Sequence, residues 1–282
     1  MCRLYGFIAN EKTKLECTLV QAHNSLMRQS QKDSLGRTNA DGWGISYYED
    51  ETIVLEKEGG AAFDDPRFGE IATQIRSKAV IAHIRLATVG ETDSRNAHPF
   101  RFGSWTFAHN GTVNGFAKLQ ESLAAETDPQ LQKNRLGATD SEQVFFWILT
   151  RLKAAGISLD SALNEDAQSE TAIGIMAESA RELMKRSQSV QDDDEASKLN
   201  FLLTDGVQMF ATRWNNSLYF VERQGVWDCE VCQIPHVQPN PHRDYRAIVI
   251  ASEPISNESW TEIKNGSVCH VDREQKFRAM LM

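Results

Sequence analysis

An α+β fold is predicted from three features of the sequence, and two β-sheets sandwiched between layers of helices would accommodate them. Apolar or alternating runs at 3–9, 45–48, 52–55, 79–85 and 105–109 read as strands in the first part of the chain. Between 116 and 186 the apolar residues fall instead at helical spacing, over 116–125, 144–152 and 171–186. Five further strand-like runs follow at 199–203, 207–212, 218–222, 226–231 and 245–251, the first two joined by Asp205-Gly206. No shift in composition and no internal repeat divides these segments, so a single domain over 2–282 is expected.

With 282 residues, 41% of them hydrophobic, the chain has ample material for a core. Thirty basic residues against 39 acidic ones give a net charge of -9, which argues against a nucleic-acid or anionic-membrane partner and for a small molecule. No apolar run approaches the roughly 18 residues of a membrane span, and the start lacks a signal-peptide layout. The five cysteines are odd in number and sparse, so a reducing cytoplasm is expected rather than a disulfide framework.

The first strand opens on Met1-Cys2-Arg3-Leu4-Tyr5-Gly6-Phe7. Removal of Met1, which a small second residue permits, would leave Cys2 with a thiol and a free α-amine on one carbon. Their ordinary pKa values lie near 8.5 and 8, so the amine can serve the thiol as its own base. A small hydrophobic role for the thiol is the alternative. Residues 17–28 have near-helical apolar spacing, and a polar loop follows to Ala40. Asp41-Gly42-Trp43-Gly44 is either a tight turn or a glycine-lined wall that lets backbone approach a ligand. Pro66 starts a helix over 66–77, which hands over to the apolar strand ending on Arg85. A guanidinium there needs a carboxylate, supplied either by an internal Asp or Glu or by a substrate. The polar loop 86–99 is long enough to suggest function.

Past His109 the strand breaks into Asn110-Gly111-Thr112. Asn-Gly is a turn signal, but an Asn amide and a following Gly N–H can also converge on one developing oxyanion. In Thr139-Asp140-Ser141-Glu142, Thr139 or Asp140 is a helix N-cap, with Glu142 or Gln143 placed for a capping box. The alternative for Asp140 is a carboxylate that receives a substrate ammonium. Residues 188–197, with their acidic run, read as a solvated loop.

Taken together, Met-Cys at the start, His-Ile-Arg-Leu-Ala-Thr, Asn-Ala-His-Pro, His-Asn-Gly and Thr-Asp-Ser-Glu resemble, in order and spacing, the class II glutamine amidotransferases, N-terminal nucleophile hydrolases. The resemblance covers about 2–260 and extends to Leu-Asn-Phe-Leu-Leu-Thr-Asp-Gly and Ala-Ser-Glu-Pro, as in the small stand-alone members. It implies a four-layer αββα sandwich, and Cys2 as nucleophile with its α-amine as base. It further implies Asn110 and the Gly111 N–H as the oxyanion hole, Arg85 for the substrate α-carboxylate and Asp140 for its α-ammonium. Thr88 would line the same pocket, and His98 would support the loop. Members linked to synthetase domains carry Trp after the arginine and His after the threonine. Leu86 and Val89 stand there in this chain, which leaves open the choice between free glutamine and another γ-glutamyl amide. Two alternatives remain: a γ-glutamyl peptide hydrolase that serves no ammonia acceptor, or a glutamine-sensing subunit without turnover. No cofactor is expected and no metal. Cys229, Cys232, His236 and His242 offer zinc donors within fourteen residues, but a strand-like alternation of Cys229 and Val231 with Cys232 and an unusual histidine spacing speak against a clip.

Overall fold

Residues 2–88, 90–190, 195–238 and 240–282 are described by a computed structural model. The first strand, β1 (Arg3–Lys14), sets the pattern for the rest. Because side chains alternate along a strand, Tyr5, Phe7 and Ala9 face one apolar layer while Leu4 and Ile8 face another. Both faces of β1 are therefore covered. A π-helical turn (Cys17–Gln21), α1 (Leu26–Gln31), β2 (Trp43–Glu49), β3 (Thr52–Glu58), α2 (Pro66–Gln74) and β4 (Arg76–Ile84) follow. After a loop with a 3-10 turn (Ser94–Asn96) come β5 (Phe100–Phe102) and β6 (Trp105–Thr112). The helical block is α3 (Phe116–Glu126), α4 (Pro129–Gln132), α5 (Asp140–Ala154) and α6 (Asp166–Val190). The chain then returns to strands as β7 (Lys198–Thr204), β8 (Met209–Arg213), β9 (Tyr219–Gln224), β10 (Arg246–Ala251), β11 (Thr261–Glu262), β12 (Ser267–Val271) and β13 (Phe277–Leu281).

Among the described residues these strands form a seven-stranded sheet, β11-β9-β10-β1-β4-β2-β3, and a six-stranded sheet, β13-β12-β8-β7-β6-β5. Three apolar layers then account for the architecture. Leu4, Ile8, Ile81, Ala108, Leu202 and Ile250 fill the space between the sheets. Tyr5, Phe7 and Val80 pack with Leu26 and Phe68 of α1 and α2 on the outer face of the first sheet. Phe107, Phe201 and Phe210 pack with Leu119, Phe145, Ile148 and Met176 of α3, α5 and α6 outside the second. This is the αββα sandwich the sequence predicts. At Gly6 the two sheets come so close that a Cβ would stand 2.8 Å from Met209 Sδ and 2.9 Å from Leu202 Cδ1.

Several boundaries differ from the sequence reading. The helix expected over 17–28 breaks at Ala22, where the backbone turns extended, and restarts on the Ser25 cap. Strand β6 does not break after His109 but runs on through Asn110 and Gly111, which pair with Asn200 and Leu199 of β7. The strand expected at 226–231 does not form, and that segment is turns with one isolated bridge, Asp228 to Pro235. Of the solvated loop expected at 188–197, residues up to Val190 continue α6, and 191–194 lie outside the described residues. Strands β5, β11, β12 and β13, short or polar in pattern, have no counterpart in the sequence expectation. At α5 the expected cap is Thr139, whose hydroxyl accepts from the Glu142 N–H at 3.2 Å. Glu142 does not close a capping box but accepts from the Leu136 and Gly137 amides.

Candidate active site

The alternation that buries Leu4 between the sheets puts Cys2 on the same side, at the open end of β1. Cys2 is 8% exposed. Its Sγ lies 3.2 Å from the Leu86 N–H, which donates to it, and 3.4 Å from the Leu86 carbonyl. Burial raises the thiol pKa above its ordinary value, while the Leu86 backbone bond and the Arg85 and Arg3 charges work in the opposite direction. Cys2 lines a cavity of about 360 Å³ together with Leu86, Thr88, Asn110, Gly111, Thr112 and Arg37.

Asn110 is buried on β6, and its side chain shares the inter-sheet side with Ala108. Its Nδ2 donates to Ser252 Oγ at 3.0 Å, leaving one amide proton for another acceptor. Its oxygens accept from Asn216 Nδ2, the backbone one at 2.9 Å. Gly111 has to be glycine here because a Cβ would overlap the Lys198 carbonyl and fall 2.6 Å from His109 Nε2. Asp140, at the start of α5, accepts from the Val113 N–H at 2.7 Å and from its neighbour Ser141 N–H at 2.8 Å. His109 bridges the two elements. Its Nε2 lies 2.8 Å from the Lys198 carbonyl, which can only accept, so the proton sits on Nε2. Burial keeps the ring neutral despite Asp140, so Nδ1 accepts a hydrogen bond from the Ser141 hydroxyl at 2.9 Å.

Arg85 is buried at the end of β4, and its fork reaches three backbone oxygens. Its guanidinium donates to the carbonyls of Asp41 at 3.2 Å, Gly90 at 3.1 Å and Glu91 at 2.9 Å. It thereby ties the 86–99 loop to the Asp41-Gly42 segment, and Ala87 N adds a 2.8 Å bond to Asp41 Oδ2. Gly42, at φ 143, and Gly44 let backbone approach backbone: a Cβ on Gly44 would overlap the His98 carbonyl. Asp-Gly is thus no hairpin turn, and the close approach it permits is to this loop. Thr88 Oγ1 meets Thr112 Oγ1 at 2.9 Å on the cavity wall; Val89 lies outside the described residues. His98 points inward, its ring 4.3 Å from His83 and 4.7 Å from Phe100. Lys57 Nζ donates to the Ala97 carbonyl at 2.9 Å, and Asn96 Oδ1 accepts from Ala138 N at 3.0 Å, so the loop is pinned at both flanks. The structure brings Cys2, Thr88, Asn110 and Gly111 to one cavity. Arg85, Asp140 and His98 are not among its lining residues.

Residues 1–280 match the family described as Glutamine amidotransferases class-II. The chain belongs to the class-II glutamine amidotransferases. It is 28% identical to the putative glutamine amidotransferase YafJ of Escherichia coli, over 94% of this chain and 95% of that protein. It is 25% identical to the gamma-glutamyl-hercynylcysteine sulfoxide hydrolase of Mycolicibacterium smegmatis, over 93% and 92%. In fold it resembles a glutamine aminotransferase class-II domain protein from Silicibacter pomeroyi, with a TM-score of 0.63, 20% identity and coverage of 99% and 98%.

Around the candidate nucleophile, this amidotransferase carries residues that the sequence reading did not single out. Arg3, on the helix-facing side of β1, donates to the Cys2 carbonyl at 3.0 Å and pairs with Asp33 at 2.7 Å and Glu253 at 2.5 Å, all of them buried. The signal was an arginine at the start of an otherwise apolar strand. Ser252 joins Leu4 N to Asn110 Nδ2. Arg37 reaches the cavity, with Nε 3.2 Å from Asp33 Oδ2, and its Nη2 has no hydrogen-bond partner among the described residues. The potential metal donors also regroup. Cys229, Cys232 and His236 do converge, but their fourth member is Cys17 and not the exposed His242. The strand alternation that spoke against a clip is absent, because 226–231 forms no strand. Among the described residues no helix is long and apolar enough to cross a membrane.

Proposed function

We propose that residues 2–282 act as one catalytic domain that hydrolyses the γ-amide of glutamine or of another γ-glutamyl compound through a thioester on Cys2. The observation that carries this reading is a single cavity lined by Cys2, Asn110 and Gly111. Removal of Met1, which lies outside the described residues, frees the Cys2 α-amine to take the thiol proton as sulfur attacks the amide carbon. The carbonyl oxygen becomes an oxyanion, and the Asn110 amide proton not engaged by Ser252 and the Gly111 N–H stabilise it. Collapse breaks the C–N bond, the departing nitrogen takes the proton from the ammonium, and ammonia or an amine leaves. Water then cleaves the thioester, restoring the thiol. For Arg85 to grip the α-carboxylate and Asp140 the α-ammonium, as the family resemblance implies, each has to turn into the cavity from the backbone groups it now holds; Thr88 is on the wall, His98 supports the loop, and Arg37 supplies a second cation from the cavity side.

Loss of one oxyanion donor costs on the order of a hundredfold or more in turnover. Asn110→Ala is therefore expected to keep its fold and lose about that factor in kcat, and Cys2→Ala to be inactive. Glutaminase assays and intact mass spectrometry with a diazoketone glutamine analogue check both. Wild-type turnover in either variant, or a label on another residue, would sink the assignment. A γ-glutamyl hydrolase that serves no ammonia acceptor is the second reading. It is favoured by the match to the mycolicibacterial hydrolase over nearly the full length of both chains and by Leu86 on the cavity wall. Comparing kcat/KM for glutamine with that for a panel of γ-glutamyl amines separates the two.

A further inference from the structure

On the face of the first sheet away from the Cys2 cavity, we propose a structural zinc site made by Cys17, Cys229, Cys232 and His236. The three sulfurs and one imidazole nitrogen lie within 4.8 Å of one another. Zinc bonds of about 2.3 Å to sulfur and 2.0 Å to nitrogen in a tetrahedron put donor atoms roughly 3.5 to 3.8 Å apart, so only a small closure is needed. Cys232 Sγ and His236 Nε2 are already 3.2 Å apart, and all five cysteines of the chain are free thiols.

The backbone around the pair Cys229 and Cys232 is folded as a metal knuckle requires. Asp228 bridges to Pro235, Cys229 N donates to the Ile234 carbonyl at 3.1 Å, and Gln233 N donates to the Cys229 carbonyl at 2.9 Å. Gln233 takes a left-handed φ of 60 to turn the chain back after Cys232. The Val231 N–H points at Cys229 Sγ from 3.4 Å, a donor suited to a thiolate. Cys17 arrives from the far end of the sequence on its π-helical turn.

The location explains why a metal is useful there. Between β9 and β10 the chain has no regular element among the described residues, and Trp227, Val231 and Ile234 are exposed. A segment with so little core of its own is the kind that a metal commonly staples. Four protein donors close the coordination sphere, which fits a structural and not a catalytic ion. On binding, three thiols release their protons to solvent, and Zn²⁺ with three thiolates and a neutral imidazole carries a net charge of -1. Lys14 N donates to the His236 carbonyl at 2.8 Å, so the ion would fasten the segment to the end of β1.

The test is elemental analysis of the full chain purified without chelator, followed by removal of the metal and titration with Co²⁺. One zinc per chain is expected, as is the visible absorption of tetrahedral Co²⁺–thiolate on titration. Cys17→Ser and Cys229→Ser should each lose most of the metal, whereas His242→Ala should keep it. Because a serine variant could also unfold, the Co²⁺ spectrum of the wild-type chain stands as an independent readout. Absence of zinc together with absence of the thiolate spectrum would overturn the site, as would metal retained by both serine variants. A disulfide among these cysteines in the freshly purified, metal-free chain would overturn it too.

Discussion

At Gly111 a missing side chain is what lets β6 run past the candidate nucleophile. The position lies between the Lys198 carbonyl and His109 Nε2, neither of which can yield without breaking the β6 to β7 pairing or the His109 bond to Lys198. Overpacking in such a place costs about 1–3 kcal/mol or more. Gly111→Ala is therefore expected to lower the thermal midpoint and abolish turnover together, since the N–H proposed for the oxyanion belongs to this residue. Gly174, exposed in α6 with nothing within 4 Å of where an added methyl would stand, is the control. There an alanine should stabilise by up to about 1 kcal/mol through helix propensity and leave turnover unchanged. Calorimetry and a glutaminase assay on both variants decide; an unimpaired Gly111→Ala would show that the strand has room the geometry denies it.

Between elements, the buried pairs of Arg3 with Asp33 and Glu253 fasten the start of β1 to the loop after α1 and to the chain leaving β10. Asp33 is pushed upward by burial, but the Arg37 backbone N–H and the Arg3 charge outweigh this and hold it below the usual carboxylate pKa. Breaking one side of such a buried ionic group costs roughly 3–5 kcal/mol because the remaining charges lose their partner. Arg3→Met should fall in that range by denaturant melts, and adding Asp33→Asn with Glu253→Gln should recover part of the loss. If the triple variant is no more stable than the single one, the cost is packing and not charge. This network was not legible in the sequence, because its members are distant along the chain and nothing in Asp33 or Glu253 alone announces a partner. What was legible was local, namely the apolar runs of β1 and β4 and a helix cap at Thr139 or Asp140, whereas the grouping of Thr88 with Asn110-Gly111 came from the resemblance of the ordered motifs to a family and not from spacing. Asn-Gly misled as a turn because β7 supplies a pairing partner that overrides the local propensity, and 226–231 misled as a strand because no neighbour accepts it.

Across the whole molecule, the sandwich encloses imidazoles that must stay neutral. His83 sits on β4, packed on His98, and burial, helped by the Arg85 charge, holds its pKa at about 3. His98 is likewise pushed well below 6.5 by burial and by the neighbouring His83, and His270 is held at about 4, again chiefly by burial. In the unfolded chain each of these rings titrates near 6.5. Between about pH 6.5 and the depressed folded value, the unfolded state thus binds protons that the folded state refuses, so stability falls as pH falls. Each such ring contributes a slope of up to about 1.4 kcal/mol per pH unit in that window. Stability above about pH 7 is expected to be flat with respect to these groups, and to decline steadily from pH 6.5 to 5 before most carboxylates protonate. Denaturant midpoints measured across that range test it, with His83→Gln removing only the His83 share of the slope. A wild-type profile level down to pH 5 would mean that the sandwich tolerates imidazolium in its interior.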